Sequence, residues 1–246
     1  MRSRRIRLSC TISKSRLNRR KPMPQPAAPI AHLRGGLDHV GSSTLEFWFE
    51  FASPYSYIAA SRIESLCNEA QVPFSWKAFA LGPVFELQGW NTSPFVLNPL
   101  RGKYMWRDME RLTAKYGLPW CRPSTFPSKS VLAARVAAAC TDQPWIGSFV
   151  RAAFAANFGE QADLNEWNVV SALIASTGGD PVATLLVAIE GSGKSALRQN
   201  TEKAISLGMF GAPNCLVGDE LFWGEETLED AIAWAHAEKN LNNDPE

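Results

Sequence analysis

The stretch that most limits what this chain can become is Thr-Leu-Glu-Phe-Trp-Phe-Glu-Phe-Ala-Ser-Pro-Tyr-Ser-Tyr, residues 44–57. Leu45, Phe47, Phe49 and Phe51 alternate with Glu46, Trp48 and Glu50, the period of a strand of roughly seven residues with one face in a core. Ser53 is a favoured N-cap, and Pro54 suits a first helical position because proline lacks the N–H that a helix start leaves unpaired. A strand therefore runs straight into a helix. The unpaired N–H groups and positive dipole end of that helix face the Ser53 hydroxyl, a setting that suits an anion such as a thiolate.

The helix is predicted over 54–70, with Ile58, Ile63, Leu66, Cys67 and Ala70 on the side that lies on a sheet. Residues 74–79 alternate as a second strand, completing β-α-β. From Leu81 to about Asn200 the pattern is helical, with segments near 101–117, 128–140, 143–158, 165–176, 180–190 and 193–207. Pro119, Pro127, Pro144, Gly159 and Gly178-Gly179 break it. Strands return at 214–217 and 220–223 around Gly218-Asp219, and a closing helix is expected from Glu225 to about Lys239. The order β-α-β, helical block, β-β-α is that of an α/β thioredoxin-like fold with an all-helical insertion domain. The expected division is 44–80 and 201–240 for the two parts of the thioredoxin-like domain and 81–200 for the insertion.

Charge is uneven along the chain. Nine of the 25 basic residues lie at or before Lys21, ahead of any acidic one, and the remainder sets 16 basic against 24 acidic residues. An acidic body of this kind argues against nucleic acid as a partner. Residues 1–43 are Arg- and Ser-rich and then Pro-rich, a composition expected to stay disordered. The segment reads either as an extension ahead of a true start at Met23 or as a mitochondrial transit peptide; otherwise the expected compartment is the cytoplasm. Cys10, Cys67, Cys121, Cys140 and Cys215 form no C-x-x-C or metal spacing, so reduced thiols and no metal site are expected. No apolar run reaches the roughly 18 residues of a membrane helix, so no membrane association is expected. Gly191-Ser192-Gly193-Lys194-Ser195 imitates the end of a P-loop, but Ala188 occupies a required glycine position and helical sequence precedes it. It reads as a helix break.

Three separated motifs, Phe51-Ala52-Ser53-Pro54-Tyr55-Ser56-Tyr57, Phe210-Gly211-Ala212-Pro213 and Leu221-Phe222-Trp223-Gly224, occur in an order that resembles the 2-hydroxychromene-2-carboxylate isomerases. These are thioredoxin-fold relatives of kappa-class glutathione transferases and DsbA-like proteins, and the likeness spans about residues 44–238. It implies glutathione as cofactor, a small aromatic carboxylate as substrate, and a homodimer. Ser53, from spacing alone an N-cap, would by resemblance also donate a hydrogen bond to the glutathione thiolate. It stands where redox relatives carry the first cysteine of C-x-x-C, and no cysteine follows before Cys67, so dithiol exchange is not expected. Pro213 is expected to be cis, with the Ala212 backbone pairing with the cysteinyl backbone of glutathione. Gly224, Glu225 and Glu226 would receive the γ-glutamyl end. There Glu226 stands at an aspartate's position, Thr227 replaces a frequent arginine, and Glu225 brings a negative charge near the ligand's carboxylate.

Asn91 matches an asparagine that contacts glutathione or substrate in relatives, or else shapes its own loop. Lys103 with Tyr104, and Lys129, are candidates for a cationic contact to an acidic substrate or for plain solvated positions. Trp48, Tyr55, Trp90 and Trp106 either line a flat aromatic pocket or fill the core. The implied activity is glutathione-dependent ring opening and cis-trans isomerisation of 2-hydroxychromene-2-carboxylate-like substrates to a trans-o-hydroxybenzylidenepyruvate. The alternatives are a kappa-type transferase or peroxidase acting on another electrophile, and a glutathione-binding protein without turnover.

Overall fold

A computed structural model describes residues 44–243 of the chain; the expectations for the basic and Pro-rich start fall outside them. The first strand is β1 (Leu45–Phe49), shorter than the alternation predicts because the chain turns at Phe51-Ala52. It leads into α1 (Pro54–Glu69), where Ser53 takes extended backbone angles and its Oγ accepts from Ser56 N. β2 (Phe74–Ala78) pairs parallel to β1, with Phe47 opposite Trp76. Next come α2 (Leu81–Leu87), α3 (Pro94–Leu97), α4 (Pro99–Tyr116), α5 (Val131–Ala139) and α6 (Ile146–Glu160). α7 (Trp167–Ser176), α8 (Pro181–Ile189) and α9 (Ser192–Ser206) complete the helical block. β3 (Asn214–Val217) and β4 (Glu220–Trp223) close the sheet, and α10 (Leu228–Asn243) follows.

The four strands lie in the order β2-β1-β3-β4, with β3 antiparallel to both its neighbours. This is a mixed sheet made of one β-α-β unit and one hairpin, with the helical block inserted between β2 and β3. The predicted thioredoxin-like order is what the structure shows. The short helices α2 and α3 were not anticipated. The P-loop imitation is the α8–α9 junction, where Gly191 takes φ +129, a backbone state that glycine adopts without steric cost.

Both faces of β1 are buried. Phe47, Phe49 and Phe51 enter one core with Phe149, Phe154 and Phe158 of α6, while Trp48, of the two places open to it, takes the core and packs with Phe79, Val84, Met209 and Leu216. A strand covered on both sides at every position but Glu46 differs from the half-buried strand that the alternation with Glu46 and Glu50 implies. Within α1, Ile63 and Cys67 face the sheet-side core, but Ile58 turns instead to Met105, Trp106 and Met109 of α4. Residues 81–200, expected as an insertion domain, close no core of their own: α5, α6, α7 and α8 share theirs with β1, β2 and α10. The boundary at 200 falls inside α9.

Candidate active site

The β1–α1 corner is held from three directions. Glu50 supplies three of the contacts: its carbonyl accepts from Ser53 N at 3.0 Å, and its carboxylate accepts from Ala52 N at 3.0 Å and from Ser130 Oγ at 3.1 Å. Asn157 of α6 donates to the Phe51 carbonyl at 2.9 Å. Ser53 Oγ donates to the Ala212 carbonyl at 2.9 Å and accepts from Ser56 N at 3.2 Å. Ser53 and Ser56, both buried, thus bracket the first turn of α1 with hydroxyls.

The Ala212-Pro213 bond is cis, as expected. The Pro213 carbonyl accepts from Gly224 N at 3.0 Å, and Asn214 Nδ2 donates to the Gly211 carbonyl at 2.7 Å. The first bond ties the 210–213 loop to the turn after β4, and the second closes the loop on the start of β3. Gly224 takes φ +104, and a Cβ there would collide with the Glu226 carboxylate at 2.5 Å, so glycine is what lets Glu226 fold back over the turn.

Ala212, Gly224, Glu225 and Glu226 line one side of a cleft of about 600 Å³. Ser53 is 7% exposed and lies beneath Ala212, reaching the cleft through that carbonyl rather than lining it. Aromatic rings form the walls. Phe210 and Trp223 pack with centroids 4.8 Å apart, Phe85 and Trp90 at 5.9 Å, and Tyr55 and Phe95 at 6.1 Å. Gln88 Nε2 donates to the Phe210 carbonyl at 3.3 Å and joins two of these walls.

Along α4, Arg101, Tyr104 and Asp108 face the cleft at helical spacing. Tyr55 OH donates to Asp108 Oδ2 at 3.2 Å, and Arg111 pairs with the other Asp108 oxygen at 2.7 Å. Burial, and then the Asp108 charge, push the Tyr55 phenol above its ordinary value, so Tyr55 keeps its proton and serves as a donor. Burial also raises the Glu225 carboxyl, against the pull of Arg62, which lies 3.3 Å away.

The expected site residues fall into two groups. Ala212, Gly224, Glu225 and Glu226 meet at the cleft with Tyr55, Trp90 and Tyr104, and Ser53 and Pro213 lie directly behind it. Asn91 is exposed and outside the lining, although Trp90 and Pro94 on either side are in it. Lys103 and Lys129 are exposed and do not line the cleft. Trp106 belongs to the core of α1 and α4. The cation that does line the cleft is Arg101, two residues before the expected Lys103, because α4 begins at Pro99 and turns positions 101, 104 and 108 toward the opening. The spacing of those three residues was the signal for it. The Glu225-Glu226 pair is also not the first turn of the closing helix: α10 starts at Leu228, and the acidic residues of its first turn are Glu229 and Asp230. Among the described residues, no three His, Cys, Asp or Glu side chains are grouped so as to hold a metal ion, and no helix is long and apolar enough to cross a membrane.

Comparison with known proteins matches residues 44–233 to the family model described as DSBA-like thioredoxin domain. The 2-hydroxychromene-2-carboxylate isomerase of Sphingobium xenophagum is 28% identical over 189 residues, covering 76% of this chain and 95% of that protein. The protein of the same description from Pseudomonas putida is 24% identical over 185 residues, 75% of this chain and 90% of its own. A solved structure of a 2-hydroxychromene-2-carboxylate isomerase superposes with a TM-score of 0.71 at 23% identity, covering 82% of this chain and all of that one.

Proposed function

On the premise that the chain belongs to the DSBA-like thioredoxin domain family, we propose that it is a glutathione-dependent isomerase of 2-hydroxychromene-2-carboxylate-like aromatic carboxylates. One observation carries the reading: of three motifs remote in sequence, those at 212 and 224–226 line a single aromatic-walled cleft, and the third, at Ser53, is hydrogen-bonded to the Ala212 carbonyl from directly behind it. The isomerase names of the relatives support the reaction class.

The residues present fit a bound glutathione. Ala212 offers backbone to the cysteinyl part in the manner of an added strand. Glu226 meets an ammonium, and Arg101 is placed along the lining for a carboxylate. Ser53 holds its oxygen against Ser56 N and turns its proton from the Ala212 carbonyl to the sulfur. Together with the start of α1, that donor lowers the pKa of the thiol and steadies negative charge on it. When bound, glutathione would supply a thiolate nucleophile for the conjugated substrate and would be regenerated rather than consumed. Tyr55, kept protonated by its surroundings and donating to Asp108, sets a phenol on the cleft wall. The rings of Trp90, Phe210 and Trp223 offer stacking surface for a flat substrate.

Calorimetric titration with glutathione and a spectrophotometric assay of chromene ring opening test the proposal together. Ser53→Ala is expected to bind glutathione and to lose roughly 10- to 100-fold in turnover, the scale of one lost hydrogen bond to a charged group. Unchanged turnover at saturating glutathione removes Ser53 from the mechanism. Consumption of glutathione with dinitrochlorobenzene or a hydroperoxide, without chromene isomerisation, replaces the isomerase by a transferase or peroxidase. Binding with no activity on any electrophile leaves a binding protein.

A further inference from the structure

Behind the 224–227 turn stands a cation that the activity does not explain. Arg62, on α1, has a side chain only 14% exposed; its Nη1 lies 3.3 Å from Glu225 Oε2, and its Nη2 pairs with Glu229 in the first turn of α10. The guanidinium sits over the Tyr116 ring of α4, 4.5 Å from its centroid. Three helices therefore fix one charge against the back of a residue that lines the cleft. The charged groups around Glu225 are Arg62 on α1, Lys115 on α4, and the carboxylates of Glu226 and Glu229. Without Arg62 the turn would present two adjacent carboxylates to any ligand.

We propose that Arg62 is the positioning residue of this turn. It cancels the Glu225 charge, so that Glu226 is the acidic group left to meet the ligand's ammonium and the neighbouring carboxylate of a γ-glutamyl group meets no uncompensated negative charge. The inference rests on the glutathione reading above. It also accounts for how the turn takes a γ-glutamyl end with Thr227 where a cation would help: the positive charge comes from α1 instead of from the turn itself.

The test is calorimetric binding of S-methylglutathione, whose sulfur does not ionise, between pH 5.5 and 8 to the wild type, Arg62→Gln, Arg62→Lys, Glu225→Gln and the Arg62→Gln/Glu225→Gln double variant. Arg62→Gln is expected to weaken binding ~10-fold at pH 8, the effect of exposing one unpaired charge in a desolvated contact. That loss shrinks as pH falls, because protonation neutralises Glu225, while the wild type changes less. The double variant returns to about the wild-type affinity, since the harm done by the first change depends on the second carboxylate. Arg62→Lys keeps the charge and most of the affinity. Should Arg62→Gln not fold, Glu225→Gln alone decides, because it removes the carboxylate that Arg62 offsets and leaves the Arg62 charge in place behind the turn, and it must bind at least as tightly as the wild type.

Wild-type affinity in Arg62→Gln, or a double variant as weak as the single one, overturns the inference. A purely structural arginine would give a loss that neither low pH nor Glu225→Gln repairs. No binding by the wild type overturns both this inference and the glutathione reading, whereas normal wild-type binding with an indifferent Arg62→Gln overturns this one alone.

Discussion

Glu50 shows how far position alone moves a side chain from its ordinary chemistry. Burial pushes its carboxyl up to about 7, with the hydrogen bonds from Ala52 N and Ser130 pulling the other way. A carboxyl raised in the folded state binds more protons there than in the unfolded chain between the two pKa values. Stability is therefore greatest below about 4.5 and falls as pH rises through about 7. Part of the side chain remains open to solvent, which sets the expected loss at about 1–2 kcal/mol. Glu50→Gln keeps an acceptor for Ala52 N and a partner for Ser130, so thermal melts between pH 5 and 8 should lose this slope and the variant should be the more stable at pH 8. A slope that survives in Glu50→Gln assigns it to other groups. None of this was legible in the sequence, where Glu50 is the polar member of an alternating strand. Ser53, by contrast, was legible, because N-cap and proline form a local signal that needs no tertiary context.

Among the elements, α3 and α4 control the shape of the cleft wall. Gly102 lies where α4 passes α3, and a Cβ on it would come within 2.3 Å of the Phe95 carbonyl oxygen. Backbone cannot give way as a flexible side chain does, so Gly102→Ala is expected to cost about 1–3 kcal/mol, measured by urea denaturation, and to shift Phe95 and Arg101 in the lining. A neutral substitution would mean that the two helices separate freely. Long helices and the final hairpin were readable from period and turn residues, and β3 and β4 fall at 214–217 and 220–223 as expected. The short helices α2 and α3 were not, since four to seven residues interrupted by proline carry no measurable period. The start of α10 was misplaced by three residues because Glu225 and Glu226 imitate an acidic first turn, while Gly224, at φ +104, turns the chain so that both line the cleft ahead of the helix.

Across residues 44–243, sheet and helical block are held by one set of rings. Phe154 of α6 packs 5.9 Å from Phe49 and 4.9 Å from Phe51 at the end of β1, and 6.0 Å from Tyr57 in α1. Unfolding followed by tryptophan fluorescence and by far-ultraviolet circular dichroism is therefore expected to give coincident transitions. Two separated transitions would show that the block melts by itself. The sequence announced the helical block but not this sharing, because which of two apolar faces meets which partner is written in packing and not in period. The same arrangement leaves Ser53 and Ser56 as the hydroxyl pair of the β1–α1 corner, while Cys67 and Cys215 are buried, with thiols held protonated by desolvation. An alcohol pair has no disulfide to form. A swing in ambient redox poise that would toggle a dithiol finds no protein sulfur to act on at this corner.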